Sequence, residues 1–171
     1  EHMEGGPVQG GDWDHRELLA IKKRMHGIPG NKRIRLGSLE PRIITEEFVR
    51  SLGGLPKLCH HFHLSLQSGC DAVLRRMNRH YTTEDYAGRC RILRQQFPDA
   101  AITTDVIVGF PGETEEEFEA TKTFVADVRF YEMHVFKYSK RAGTKAAAMS
   151  DQIPEQVKAA RSAALLELEA A

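Results

Sequence analysis

The chain has 171 residues, with 24 basic and 24 acidic side chains and a formal net charge of zero at pH 7. That length suits one domain with a true core, and the charge balance excludes a global field that draws nucleic acid, so a polyanion would have to be held by local patches. No apolar run approaches the roughly 20 residues of a membrane span, no signal peptide is visible, and three cysteines without metal-like spacing (Cys59, Cys70, Cys90) argue against a disulfide framework and for a reducing cytoplasm.

Residues 1–12 are Gly-rich and poor in apolar side chains, and their His-Met resembles a cloning remnant, so they are set aside as a tag or linker. Leu18, Leu19, Ile21 and Met25 then predict a helix over about 13–25, stopped by Ile28-Pro29-Gly30-Asn31. Arg33–Gly37 reads as a strand. Thr45–Leu52 reads as a helix capped by Thr45, with Phe48 and Leu52 on one face. Phe62–Gln67 is a strand of strict period two, followed by a short helix over Asp71–Asn78 and a longer one over Thr83–Phe97. Ile102–Val108 is a strand. It drops into the turn Gly109-Phe110-Pro111-Gly112-Glu113 and then a helix over Thr114–Asp127, with Thr114 and Glu117 spaced as a capping box. Tyr131–Tyr138 is the fourth strand, and Pro154 opens a final helix through Leu165, Leu166 and Leu168.

Alternating strands and helices mean βα units and a parallel sheet. Parallel strands covered on both faces read as continuous apolar runs, and two of these do not. Phe62, Leu64 and Leu66 alternate with His63, Ser65 and Gln67, and Tyr131, Met133 and Val135 alternate with Glu132 and His134. Thr103 and Asp105 share one face of the strand between them. The fold expected is α/β, a partial (βα) barrel of about four parallel units whose polar face lines a cavity. The competing reading is an antiparallel sheet with a wet face, which the intervening helices oppose.

The residues that could carry chemistry collect at the C-terminal ends of the strands, where barrel sites lie. The turn at Gly109–Glu113 presents backbone N–H groups to a ligand or is simply a loop. Gln67 and Ser68 can hydrogen-bond a sugar or an amino-acid moiety, or serve the turn at Ser68-Gly69. Arg75 and Arg79 share a helical face and could hold a carboxylate. Lys137, Lys140, Arg141 and Lys145, beside Tyr138, could meet a phosphate backbone and stack a base, or be a solvated loop. Asp105 sits mid-strand on the inner face, and a buried aspartate needs a partner or a ligand. Glu40 lies just past the first strand. His63 and His134 face the same side, but no third ligand at a characteristic spacing accompanies them, which favours satisfied interior histidines over a metal site.

Four stretches, RIRLGSLEP, HFHLSLQSGCDAVLRRMNRHYT, ITTDVIVGFPGETEEEF and HVFKYSKRAGTKAAAM, resemble in that order the later part of the radical SAM core of tRNA methylthiotransferases. The resemblance covers about residues 32–150. GSLEP is similar to the subgroup acting on threonylcarbamoyladenosine beside the anticodon, and residues 151–171 resemble the helix leading to a C-terminal RNA-binding barrel. The resemblance implies a six-unit partial barrel. In it, a [4Fe–4S] cluster on a Cys-x-x-x-Cys-x-x-Cys loop reduces S-adenosylmethionine, and a methylthio group is delivered to C2 of the adenine with help from a second cluster. By position, Ser65, Gln67 and Ser68 would face the cofactor nucleoside, and Arg79 its carboxylate. Gly109, Phe110, Pro111, Gly112 and Glu113 would lie along its adenine, with Glu40 on the same rim. Asp105 would act at the substrate base, with Tyr138, Lys140, Arg141 and Thr144 in the substrate loop, and the partner would be tRNA.

The chain contains no Cys-x-x-x-Cys-x-x-Cys. It is therefore expected to bind no cluster and to be inactive alone. Three other readings stand beside this one: another radical SAM branch such as the oxygen-independent porphyrinogen oxidases, a non-catalytic module that binds RNA or protein, and a half-barrel that forms a homo-oligomer through its open edges.

Overall fold

A computed structural model describes residues 15–170. The stretch read as a tag or linker, and the first two residues of the first expected helix, lie outside the described residues. The elements run α1 (His15–Gly27), a 3-10 turn (Pro41–Ile43), α2 (Glu46–Gly53), β1 (His61–His63), α3 (Asp71–Arg76), α4 (Thr83–Gln96), β2 (Ala101–Val108), α5 (Glu115–Val128), β3 (Glu132–Lys137), α6 (Lys145–Ala148) and α7 (Glu155–Ala170). The three strands form a parallel sheet in the order β1-β2-β3, an open α/β sheet of the partial-barrel kind.

The helix starts follow from local capping chemistry. Thr45, Thr82 and Thr114 each accept a hydrogen bond from a backbone N–H of the first turn, and at Thr82 and Thr114 the N3 carboxylate returns the bond, completing capping boxes. Arg129 in the left-handed region (φ 55°) ends α5.

The sheet is shorter than the four strands expected. Arg33–Gly37 is not a strand but an irregular segment with one isolated parallel bridge, Ile34 to Leu58, and a second follows just beyond it, Leu39 to Leu64. Ile34, Leu36 and Leu39 are the buried residues there. The step from Leu36 to Leu39 breaks period two, so a regular ladder cannot send all three inward. In β1 the ladder stops at His63 and pairing resumes at Gln67. His63 pairs with Thr103 and Gln67 with Val106, one extra residue on the β1 side. This is a β-bulge, with Gln67 at φ 73°. Thr104 fills the gap: its hydroxyl accepts from Leu66 N (3.0 Å) and donates to Leu64 O (2.6 Å), and the Tyr86 hydroxyl adds a bond to Leu64 O (2.7 Å).

One face of the sheet carries the core. Phe62, Leu64, Leu66, Ile102, Val106, Val108 and Met133 pack against Phe48 and Leu52 of α2, Tyr86 and Leu93 of α4, Phe118 and Val125 of α5, and Leu165 of α7, all buried. Asp105 and the alternate residues His63, Ser65 and His134 occupy the opposite face, the first three half-buried and His134 exposed. The expected polar face is therefore present, because period two with one apolar face forces it.

Candidate functional site

The open face is organised in rows by strand register. Asp105, central in β2, pairs with His134 of β3. Its Oδ2 accepts from Ser65 Oγ (3.4 Å) and lies 3.2 Å from His63 Nε2, while His63 Nδ1 is 2.9 Å from Thr103 Oγ1. The His63 and His134 rings stack at 5.8 Å across the Asp105 strand. Ser65, His63, Asp105 and His134 thus form one polar cluster drawn from three strands, and sequence spacing gave no sign that Asp105 joins the two histidines.

The β2–α5 turn is built from within. Gly109 (φ 71°) and Gly112 (φ 75°) adopt conformations that only glycine takes without strain. A Cβ on Gly109 would fall 2.3 Å from Lys158 Cγ, and one on Gly112 would fall 2.2 Å from Asp151 Oδ2. Three of the turn's N–H groups already have partners: Gly109 donates to Glu113 Oε2 (2.6 Å), Gly112 to Asp151 O (2.9 Å) and Glu113 to Phe110 O (2.9 Å). Glu113 is 3 % exposed and its carboxylate is held behind the turn by Arg161 of α7 (2.8 Å). Burial pushes the Glu113 carboxyl up from its ordinary value, against the opposing pull of the Gly109 N–H and Arg161. Phe110 and Pro111 are buried, with Phe110 edge-on to Tyr138 at 5.3 Å.

Ser68 is fully buried, with its hydroxyl between Thr121 Oγ1 (3.3 Å) and the Cys70 N–H (3.2 Å), so it shapes the β1–α3 turn and ties it to α5. Gln67 is bonded through its backbone to Asp105 O and Ile107 N, flanking Val106 of β2, while its amide makes no hydrogen bond among the described residues. Its positive φ is uncommon for a non-glycine residue and comes with the bulge. Arg79 is exposed. Glu40 is exposed, in a loose pair with Arg42 (3.6 Å). Lys140, Arg141 and Thr144 are exposed on the loop after β3, where Thr144 caps α6 and donates to Arg141 O (2.8 Å). The Tyr138 hydroxyl is buried without a hydrogen-bond partner among the described residues, and Lys158 sits over its ring at 5.6 Å.

Two contributors were not anticipated. Tyr81 donates to Ser65 O and Leu66 O (3.1 and 2.9 Å) and so braces the bulged end of β1; burial raises its phenol to about 12. Arg76, and not Arg75 or Arg79, is the arginine that clamps the glycine turn, bonded to both Glu117 oxygens (2.9 and 2.5 Å) and to Gly112 O (3.2 Å). Helical spacing drew attention to Arg75 and Arg79; only the approach of α3 to α5 picks out Arg76.

The hydrogen bonds from Arg76 hold the Glu117 carboxyl below the usual value of 4.5. A lowered folded-state value means that this contact stabilises the fold fully above about pH 4.5 and is lost as pH falls through the depressed value. Thermal melts of the chain and of Glu117→Gln should therefore differ at neutral pH and converge in acid. A gap that stays constant with pH would contradict this account.

The cysteines lie apart. Cys59 is beside Arg33, Cys70 precedes α3, and Cys90 is buried in α4, its thiol pushed up to about 12 by burial. They form no ligand set for an iron–sulfur cluster among the described residues.

A tRNA-2-methylthio-N(6)-dimethylallyladenosine synthase of Caldicellulosiruptor saccharolyticus is 47% identical over 148 residues, covering 86% of this chain and 31% of that protein. Threonylcarbamoyladenosine tRNA methylthiotransferase MtaB of Bacillus subtilis is also 47% identical over 148 residues, covering 86% of this chain and 32% of that protein. The chain thus spans about a third of the length of the curated relatives it matches. Among solved structures, the radical SAM coproporphyrinogen III oxidase of Escherichia coli superposes with a TM-score of 0.73 at 19% identity, over 91% of this chain and 37% of that one. Elp3 of Methanocaldococcus infernus gives 0.61 at 15%, over 88% of this chain and 35% of that one. At these identities the likeness is one of fold. Residues 5–125 match the Radical SAM superfamily, and with a parallel open sheet, a polar inner face and a glycine turn closing β2, the chain belongs to that superfamily.

Proposed function

We propose that the chain is the later part of the radical SAM core of a tRNA methylthiotransferase, supplying cofactor and substrate walls to a larger enzyme. The observation that carries this reading is the single polar face of a parallel sheet, flanked at the C-terminal end of β2 by the Gly109–Glu113 turn and beyond β3 by a basic loop. S-adenosylmethionine, when bound at a reduced cluster elsewhere in the enzyme, supplies the radical chemistry. The residues of this chain hold and orient. Ser65 and the unpaired Gln67 amide would face its nucleoside, the exposed Arg79 its carboxylate, and the surface of the turn from Gly109 to Glu113 its adenine. Ser68 and Glu113, whose side chains are engaged inside the fold, would keep those turns in shape. Glu40 would sit at the rim.

Asp105, held by Ser65 and His63, would meet the substrate base, with Tyr138 at the start of the adjoining substrate loop. Lys140 and Arg141 would take tRNA phosphates, on a loop whose shape Thr144 fixes. The subgroup reading on GSLEP points to threonylcarbamoyladenosine, although relatives named for the dimethylallyl nucleoside are equally similar. The setting is the cytoplasm, where tRNA is modified. No described helix is long and apolar enough to cross a membrane. The open sheet edges allow a homo-oligomer.

The complete reading frame, expressed in a strain lacking its own methylthiotransferase, should restore methylthio-adenosines in tRNA hydrolysates read by mass spectrometry. Asp105→Asn should not. The 171-residue chain alone should leave the nucleosides unmodified. Hydrolysates without methylthio nucleosides from the wild-type frame would overturn the reading, and the nucleoside that changes identifies the subgroup.

A further inference from the structure

His63, Asp105 and His134 come from three different strands, yet their ligating atoms all lie within 4.8 Å of one another. Two imidazoles and one carboxylate form a donor set suited to a borderline divalent ion such as Zn²⁺ or Co²⁺. The set is partly built for the purpose. The side chains of His63 and Asp105 are 14% and 26% exposed, and Thr103 Oγ1 engages His63 Nδ1 at 2.9 Å, which fixes the ring so that Nε2 points at Asp105. A hydrogen-bond partner on the far ring nitrogen is what ligating histidines in proteins have. Ser65 steadies the carboxylate from the other side (3.4 Å). His134 is exposed, so ions and a fourth ligand can enter from the open face.

We infer that His63, Asp105 and His134 bind one divalent transition-metal ion on the inner face of the sheet, leaving one coordination position open to water or an added donor. This does not rest on the methylthiotransferase reading. It needs neither S-adenosylmethionine nor tRNA, and it would stand if that reading failed. The alternative is a metal-free network in which Thr103 donates to His63 and His63 to Asp105.

The test is titration of the 171-residue chain with Co²⁺ alone, followed by absorption in the visible d–d region, with competition by Zn²⁺. Saturation at one Co²⁺ per chain with a nitrogen- and oxygen-type spectrum is expected. Affinity should fall about tenfold or more in Asp105→Asn and His134→Ala, and also in Thr103→Val, which touches no metal. His60→Ala, which breaks an exposed His60–Asp99 pair (2.7 Å) away from the cluster, should leave binding unchanged. Circular dichroism of each variant confirms that the fold persists. No saturable binding, equal binding in all variants, equal loss in His60→Ala, or thiolate charge-transfer bands reporting cysteine ligation would each overturn the assignment.

Discussion

Replacing Arg161 with methionine should lower the free energy of unfolding by about 3–5 kcal/mol, the range for stripping one partner from a buried ion pair. Arg161 is 6% exposed and Glu113 3%. One guanidinium nitrogen serves both the Glu113 carbonyl (3.1 Å) and its carboxylate (2.8 Å), and the guanidinium lies 5.3 Å from the Phe118 ring centroid. Without it, only the Gly109 N–H opposes the desolvation that already pushes the Glu113 carboxyl up. The carboxyl must then take a proton or the turn must open. The second partner of Arg161, Glu115, is exposed and adds little. Glu113→Gln combined with Arg161→Met should cost clearly less than the sum of the single changes, because the stranded charge is gone. Urea denaturation at neutral pH measures all three. A loss under about 1 kcal/mol in Arg161→Met would mean that water reaches Glu113 and that the pair is not sealed.

Gly69→Ala should cost about 1–3 kcal/mol or more, as overpacking does where the obstacle cannot swing away. Its new Cβ would lie 2.8 Å from Phe124 Cβ and 2.9 Å from Thr121 Cα, so α5 itself must retreat. That retreat would also break the contact between Ser68 and Thr121 that ties the β1–α3 turn to α5. Gly53→Ala is the internal control. There the added Cβ meets only the tip of the Gln96 side chain (2.6 Å), which can rotate, and the urea midpoint should barely move. Equal shifts in the two variants would show that packing against α5 is not what demands glycine at position 69.

Where a residue's neighbours in sequence decide its environment, reading the chain was enough. Period two in Phe62–Leu66 forces the polar face, and the Thr-x-x-Glu spacing at Thr114 places the start of α5. Contacts over long separations were not legible. The bulge at Gln67 depends on the register against Val106, and Arg76 was hidden behind Arg75 and Arg79 until α3 met α5. Asp105 became the third member of the histidine cluster only through sheet pairing. The turn at Gly109 reads as a source of free N–H groups in sequence. Its N–H groups at Gly109 and Gly112 are in fact used by Glu113 and by Asp151, the latter nearly 40 residues downstream.

The attachment of α7 bears on where this unit can be trimmed. The superfamily match stops at residue 125, ahead of β3. Yet Asp151 closes the Gly112 turn, Lys158 donates to Tyr138 O (3.0 Å), Arg161 neutralises Glu113, Leu165 sits in the core, and Glu169 accepts from the Met133 N–H. A shortened version ending at the family boundary would discard the third strand together with the Asp151 and Arg161 contacts to the glycine turn, leaving Arg76 as the clamp from outside the turn. The reach of α7, and not the family boundary, therefore sets where this unit can be cut without stranding the buried Glu113 carboxylate.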